Sequence, residues 1–344
     1  MRVCRLCKSE KVIIHQAFKK DIQDSVLTEA KVVRLKCKEC KYSFRTYPEG
    51  VRDYSSRTKR LVFLGVVLYS AGLSYEKAAG FLSGMLGREV ESFVTIWRDI
   101  QALGERLRRA RTPKASQRLV VGLDATYVRV SGREQPVLVA VNQRDGLTIS
   151  VDLGDEWKER ELKEFLREVA KKVGLKNVSG LVTDDLDTYK LVSEKFKLPH
   201  QICLGHVKRN LARRLAKLAG KIPKAYTATL TNILDPPALE GEQTLRSLLG
   251  KPDLWKAGKR NKHWIAYRMV VADLLRNWKN YTAHLTHPQA NLPTSNNITE
   301  QAISRSKIRY KLTRGFKSKE AVLNFFYVTQ YLETKQFNQV AAFC

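Results

Sequence analysis

Leu119-Val120-Val121-Gly122-Leu123-Asp124-Ala125-Thr126-Tyr127-Val128 is an apolar run broken by one carboxylate. Up to Asp124 it is apolar on both faces of an extended chain, the pattern of a central strand covered on both sides. An ionised group inside such a strand is costly without a partner, so Asp124 is either satisfied by backbone amides or held for a function, and the desolvation cost favours function. Outward from this strand, residues 136–141 and 147–153 continue as two more, with turns at Ser131-Gly132 and Asp145-Gly146. A charged amphipathic helix follows over about 158–172, then a buried strand over 178–184 that ends in Asp184. A helix around 188–196 and a short strand at 201–204 complete the series. Three strands, helix, strand, helix, strand predicts an α/β fold, a mixed sheet with flanking helices.

A second acidic position belongs to Asn296-Asn297-Ile298-Thr299-Glu300-Gln301-Ala302-Ile303-Ser304-Arg305-Ser306-Lys307. Asn297 can cap a helix there, with Ile303, Ile308 and Leu312 as its apolar side. Glu300 then lies in the first turn, and Lys307, Arg309, Lys311 and Arg314 make the rest basic. One reading is a capping box, with Glu300 reaching back to the Asn297 amide. The other is a carboxylate that holds a divalent metal while the cations hold a phosphate backbone. If Asp124 and Asp184 end up side by side on adjacent parallel strands and the helix brings Glu300 over them, the three repel unless a cation joins them. Mg²⁺ or Mn²⁺, as two ions about 4 Å apart, meets that need with oxygen ligands. Asp184 has rivals in a helix-cap role and in Asp185 and Asp187, and is preferred as the first acid after Leu181-Val182.

Between these motifs, about 207–292 reads as a mostly helical insertion, with helices near 207–218 and 264–278 and a less regular stretch between them. It is preceded by Cys203-Leu204-Gly205-His206, whose histidine opens a helix bearing Lys208, Arg209, Arg213 and Arg214. His206 is open to contact with a phosphate or to packing; Cys203 reads as packed or locally hydrogen-bonded, and two further ligands for a zinc are not apparent. A last helix covers 319–333.

The N-terminal 50 residues carry Cys4-x-x-Cys7 and Cys37-x-x-Cys40, two knuckles with the spacing that closes a structural four-sulfur Zn²⁺ site, a small zinc ribbon. Residues 51–117 read as helices with short turns, a helix-turn-helix-like segment for DNA binding or dimerisation. Leu61, Leu64, Val67 and Leu68 mark the face of its first helix, and Ala78, Ala79, Phe81 and Leu82 that of the second. The third domain is 118–344. Across the 344 residues, 62 Lys plus Arg against 34 Asp plus Glu give a formal charge of +28, spread along the chain. That excess predicts a polyanion partner. No apolar run is long enough to span a bilayer, and the start lacks the apolar core of a secretory signal. Nucleic acid in a reducing, cytoplasmic setting, nucleoid-associated, is the expectation.

With Leu123-Asp124-Ala125-Thr126, Val182-Thr183-Asp184-Asp185-Leu186-Asp187-Thr188-Tyr189 and Asn296-Asn297-x-x-Glu300 in this order, residues 119–333 resemble the DDE transposases of prokaryotic-type insertion sequences. Cys203-x-x-His206 is similar to a feature of Mutator-type members, which also carry a helical insertion before the glutamate. The resemblance implies an RNase H-like catalytic domain with Asp124, Asp184 and Glu300 as metal-holding catalytic residues. Lys307, seven beyond the glutamate, matches the basic residue these enzymes often have there, and Arg314-Gly315-Phe316-Lys317-Ser318 is similar to the end of their motif. By position and charge, His206, Arg209 and Arg309 join Lys307 and Arg314 as expected DNA contacts. The need to hold two ends on double-stranded DNA predicts a homodimer or higher oligomer. The activity implied is cleavage at terminal repeats and joining of 3′-ends to a target. A non-catalytic regulator and a nuclease of the same fold are the alternatives.

Overall fold

The computed structural model describes residues 3–87, 92–109, 118–251, 261–313 and 315–333. It has two compact units, one of residues 111–305 and one of residues 1–110 with 306–344.

The unit of residues 111–305 is built on β4 (Leu119–Val130), β5 (Arg133–Asn142), β6 (Thr148–Leu153), β7 (Val178–Thr183) and β8 (His200–Ile202). Their order in the sheet is β6-β5-β4-β7-β8, antiparallel up to β4 and parallel from β4 to β8. The short turns after β4 and β5 permit only antiparallel neighbours, whereas α4 (Glu159–Val173) and α5 (Asp187–Lys195) carry the chain over to parallel ones. Both faces of β4 are covered, as its apolar run requires. Leu119, Val121 and Leu123 pack with Leu162, Phe165, Val169 and Val192 of α4 and α5. Val120, on the opposite face, packs with Val182, Ala283, Ala290 and Leu292.

The insertion is more regular than its sequence suggests. Besides α6 (Leu204–Ala216) and α9 (Lys262–Tyr281), the stretch between them holds α7 (Lys224–Ile233) and α8 (Gly241–Gly250). These helices share a core that includes Leu211, Leu230, Leu245, Tyr267 and Trp278. A one-turn α10 (Ala283–Thr286) leads back to the sheet unit and to α11 (Asn297–Tyr310).

The other unit starts with an antiparallel sheet of β1 (Val12–Asp21), β2 (Glu29–Cys37) and β3 (Ser43–Thr46). Helices α1 (Lys59–Ser70), α2 (Tyr75–Leu86) and α3 (Phe93–Arg109) follow, and α12 (Lys319–Glu333) packs along α3. That contact is why residues 306–344, placed with the catalytic domain on sequence order, group with residues 1–110 instead. The approach is close: a Cβ on Gly104 would lie 2.4 Å from Asn324 Cβ and 2.6 Å from its Cα. Asn324 also donates to Gln101 Oε1 at 2.9 Å. The α1 face differs from expectation, since Leu61, Val62, Val66 and Tyr69 are buried while Leu64, Val67 and Leu68 are only half-buried. Phe81 of α2 is exposed, where burial was expected. Buried Asp99 of α3 pairs with Arg52 at 3.0 Å and with Arg57, anchoring the helix to the segment after β3.

Candidate active site

Alternation along β4 puts residues 120, 122 and 124 on one face. Asp124 therefore looks toward the side that α11 covers, and the packing of that helix depends on Gly122. A Cβ there would sit 1.8 Å from Gln143 Nε2 and 2.0 Å from Thr299 Oγ1. In its absence Gln143 donates to Thr299 Oγ1 at 2.6 Å and to Asn296 Oδ1 at 3.2 Å. Asn296, fully buried, donates in turn from Nδ2 to Leu123 O at 2.9 Å. A glycine and three polar side chains thus pin the first turn of α11, and Glu300 with it, against the central strand.

The parallel register of β4 and β7 sets the second acid. Gly122 pairs with Val182, so β4 carries Asp124 beside the end of β7, and Asp184 follows one residue past that end. Burial pushes the Asp124 carboxyl up to about 7, and the charges of Asp184, Glu156 and Glu300 add to the effect, against the lowering from the Ala125 amide. Glu300 therefore belongs to the same electrostatic cluster. Its Oε1 has no hydrogen-bond partner among the described residues, so the capping-box reading finds no support at that oxygen.

His206 stands among these acids. Its Nδ1 lies 2.8 Å from Asp184 Oδ1 and 3.6 Å from Glu300 Oε1, unaligned as a hydrogen bond to either. The contact with Asp184 first, and with Cys203 second, pushes the imidazole up to about 10, an imidazolium at neutral pH. The rival acids are otherwise occupied. Asp185 is 2.7 Å from Lys190 Nζ and accepts from Tyr281 at 3.0 Å, and exposed Asp187 accepts from Lys190 at 2.9 Å. Lys190 and the Tyr281 phenol thus tie down two of the three acids in this turn and leave Asp184 facing His206.

The sequence reading missed Glu156, a fourth carboxylate in the β6–α4 connection. It accepts the Tyr189 hydroxyl at 2.7 Å, and Thr188 Oγ1 donates to its backbone carbonyl at 2.6 Å. Burial raises its pKa, outweighing the Tyr189 hydrogen bond, and the Asp184 charge raises it further. Gly154-Asp155-Glu156 reads as an ordinary acidic turn ahead of a helix, so only the buried Tyr189 phenol could have signalled it.

The expected DNA contacts separate. Arg209 and Lys307 are exposed. Arg309 is buried, its guanidinium 4.1 Å over the Tyr69 ring and donating to Leu73 O at 2.7 Å. A cation stacked and bonded inside its unit has no exposed face for a phosphate, which corrects its expected role. Arg314 lies outside the described residues. The apolar side expected for α11 is also corrected: Ile303 is buried, whereas Ile308 and Leu312 are 66% and 64% exposed. Its buried positions include Thr299, Ser306 and Arg309, each with a partner that replaces water, Ser306 bonding Thr329 Oγ1 at 2.9 Å.

In the other unit, the sulfurs of Cys4, Cys7, Cys37 and Cys40 lie within 4.8 Å of one another, a group able to hold a zinc ion. The Cys4–Cys40 and Cys7–Cys37 separations are both 3.6 Å.

Carboxylates from β4, from the turn that follows its parallel neighbour β7 and from a late helix share one electrostatic cluster in a mixed α/β sheet unit. The chain belongs to the Mutator family of transposases, whose family model matches residues 25–339. Membership implies DNA as partner and use of a divalent metal. No match was found among curated proteins. Among the described residues, no helix is long and apolar enough to cross a membrane.

Proposed function

We propose that this protein is a DDE transposase that cleaves DNA at the ends of its element and joins the freed 3′-ends to a target strand. The observation that carries the reading is the meeting of Asp124 on β4, Asp184 just past the end of its parallel neighbour β7, and Glu300 in one electrostatic cluster. The strand order β6-β5-β4-β7-β8 supports an RNase H-like reading of the sheet, and the four-cysteine group supports a zinc ribbon.

The donor set fits hard divalent ions. It consists of carboxylates, and Asp184 Oδ1 and Glu300 Oε1 are buried without a hydrogen-bond partner. Asp124, Asp184 and Glu300 would hold two Mg²⁺ or Mn²⁺ ions; when bound, such ions activate an attacking water or 3′-hydroxyl and stabilise the leaving oxygen. The chain's own part is to prepare that cluster. Asp124 must release the proton that burial helps it keep, which metal binding favours. The His206 imidazolium offsets part of the charge on Asp184. Tyr189 fixes the Glu156 carboxylate beside them. Arg209 and Lys307, being exposed, would grip phosphates. Two element ends handled together call for at least a dimer.

The test is strand joining on duplexes copied from the gene's flanking ends, in Mg²⁺ and in Mn²⁺, comparing wild type with Glu300→Gln. Joined product in the wild type, falling at least about a hundredfold in the variant while DNA binding persists, is the expected result. Cleavage without joining would identify a nuclease instead, and binding with neither activity a regulator.

A further inference from the structure

Next to the carboxylates stands a donor set of different chemistry. Cys203, buried, ends the β8 segment at the start of α6, its amide donating to Thr183 O at 2.8 Å. Its Sγ accepts the Asn296 amide at 3.3 Å. Three positions on, His206 turns Nδ1 toward Glu300 Oε1 at 3.6 Å. One ligand atom each from Cys203, His206 and Glu300 all lie within 4.8 Å of one another.

We propose that Cys203, His206 and Glu300 form a second metal site, selective for a borderline-soft cation such as Zn²⁺, which shares Glu300 with the acid cluster. Asp184, whose Oδ1 lies 2.8 Å from His206 Nδ1, is the nearest candidate for a fourth ligand. Glu300 supplies one of the two ligands that the sequence alone did not provide for a zinc at Cys203 and His206. Thiolate, imidazole and carboxylate suit Zn²⁺, whereas Mg²⁺ takes oxygen donors, so the two sites discriminate by ligand chemistry.

Two observations support it beside the distances. Glu300 Oε1 is buried without a hydrogen-bond partner, and a cation beside it would satisfy that oxygen; His206 Nδ1 and Asp184 Oδ1, 2.8 Å apart, are paired with each other but not aligned as a hydrogen bond. The Asn296 amide bonds the sulfur, an outer interaction that stabilises a metal-bound thiolate. Binding displaces the His206 proton and any proton on the sulfur, because both donors must be deprotonated to ligate.

The consequence rests on the catalytic reading given above. Zn²⁺ at this site occupies Glu300, and the acid cluster then lacks one of its three ligands. The protein would be held inactive by Zn²⁺ far below the Mg²⁺ concentration at which it works.

The test uses Co²⁺ as the probe on the full chain, after one equivalent of Zn²⁺ has filled the four-cysteine group. Wild type is expected to show thiolate-to-cobalt charge-transfer absorption with the next equivalent. Cys203→Ser and His206→Gln should each lose it and bind the ion at least about tenfold more weakly. Thermal melting establishes that each variant is folded; if Cys203→Ser is not, His206→Gln decides. No thiolate absorption in wild type, or the same absorption in a folded variant, overturns the site. In parallel, Zn²⁺ is titrated into Mg²⁺-driven cleavage, where inhibition of wild type should be relieved in proportion to lost cobalt affinity among the variants that still cleave. A cobalt spectrum that behaves as expected in a protein without cleavage activity would sustain the site and overturn the catalytic reading, so the two failures are distinct.

Discussion

Asp124 is the residue on which the physical argument turns. Its carboxyl is raised from the usual aspartate range to about 7 in the metal-free fold, by burial first and neighbouring acids second. A group whose folded pKa lies above its unfolded one stabilises the fold below the unfolded value, and that contribution is lost as pH rises through the folded value. Here the window runs from about pH 4 to about pH 7. In EDTA at pH 8, Asp124→Asn is therefore expected to be more stable than wild type by at least about 1 kcal/mol, roughly 2–4 °C in Tm, and the gap should close by pH 4. Differential scanning calorimetry at both pH values checks this; equal melting at pH 8 would count against buried charge repulsion. The position was legible in sequence because one acid in an apolar run stands out. Glu156 was not, because its partner Tyr189 lies 33 residues away in sequence and acids before a helix are common.

At the scale of elements, the strand-and-helix order of the sheet unit could be read from period and turn chemistry, since each crossover is local. What the order could not give is how α11 meets β4. Its covered face is largely polar, so apolar periodicity pointed to Ile308 and Leu312, which are exposed. The contact rests on Gly122, invisible as a packing residue until Gln143 and Thr299 are seen to fill the space beside it. Gly122→Ala is expected to displace that network and cost about 2–4 kcal/mol, as an overpacked site with broken buried hydrogen bonds. It should also lower strand-joining activity by tenfold or more, about 1.4 kcal/mol in the barrier, because Glu300 rides on the same turn. Urea unfolding and the joining assay measure the two losses, and a stable, fully active variant would refute this account of the helix. In the insertion, α7 escaped notice because Thr227, Thr229 and Thr231 are weak helix formers; its place is set by packing, with Leu230 fully buried.

For the whole molecule, contacts that return along the chain are the part that sequence order does not convey. Residues 306–344 follow Asp124, Asp184 and Glu300 in the chain and group with the compact unit of residues 1–110, with α12 packed on α3, a contact that periodicity does not report. The net charge, by contrast, was legible at once. With +28 over the chain, affinity for duplex DNA should fall steeply with salt. Exposed Arg209 and Lys307 should each contribute about one unit of that slope, so Arg209→Ala and Lys307→Ala are expected to flatten log K against log salt by about 1 each. Arg309→Ala should instead act through stability, since its cation is buried against Tyr69. Fluorescence anisotropy over a salt series separates these outcomes.

The most direct test of the central claim is Mn²⁺ binding to the full chain, followed by electron paramagnetic resonance. Wild type would be compared with Asp124→Asn, Asp184→Asn, Glu300→Gln and, as control, Asp187→Asn, whose exposed carboxylate is engaged by Lys190. The account predicts that each of the first three weakens Mn²⁺ binding at least about tenfold while the control binds as wild type does. Undiminished binding in any of the three, or a loss confined to Asp187→Asn, would contradict it.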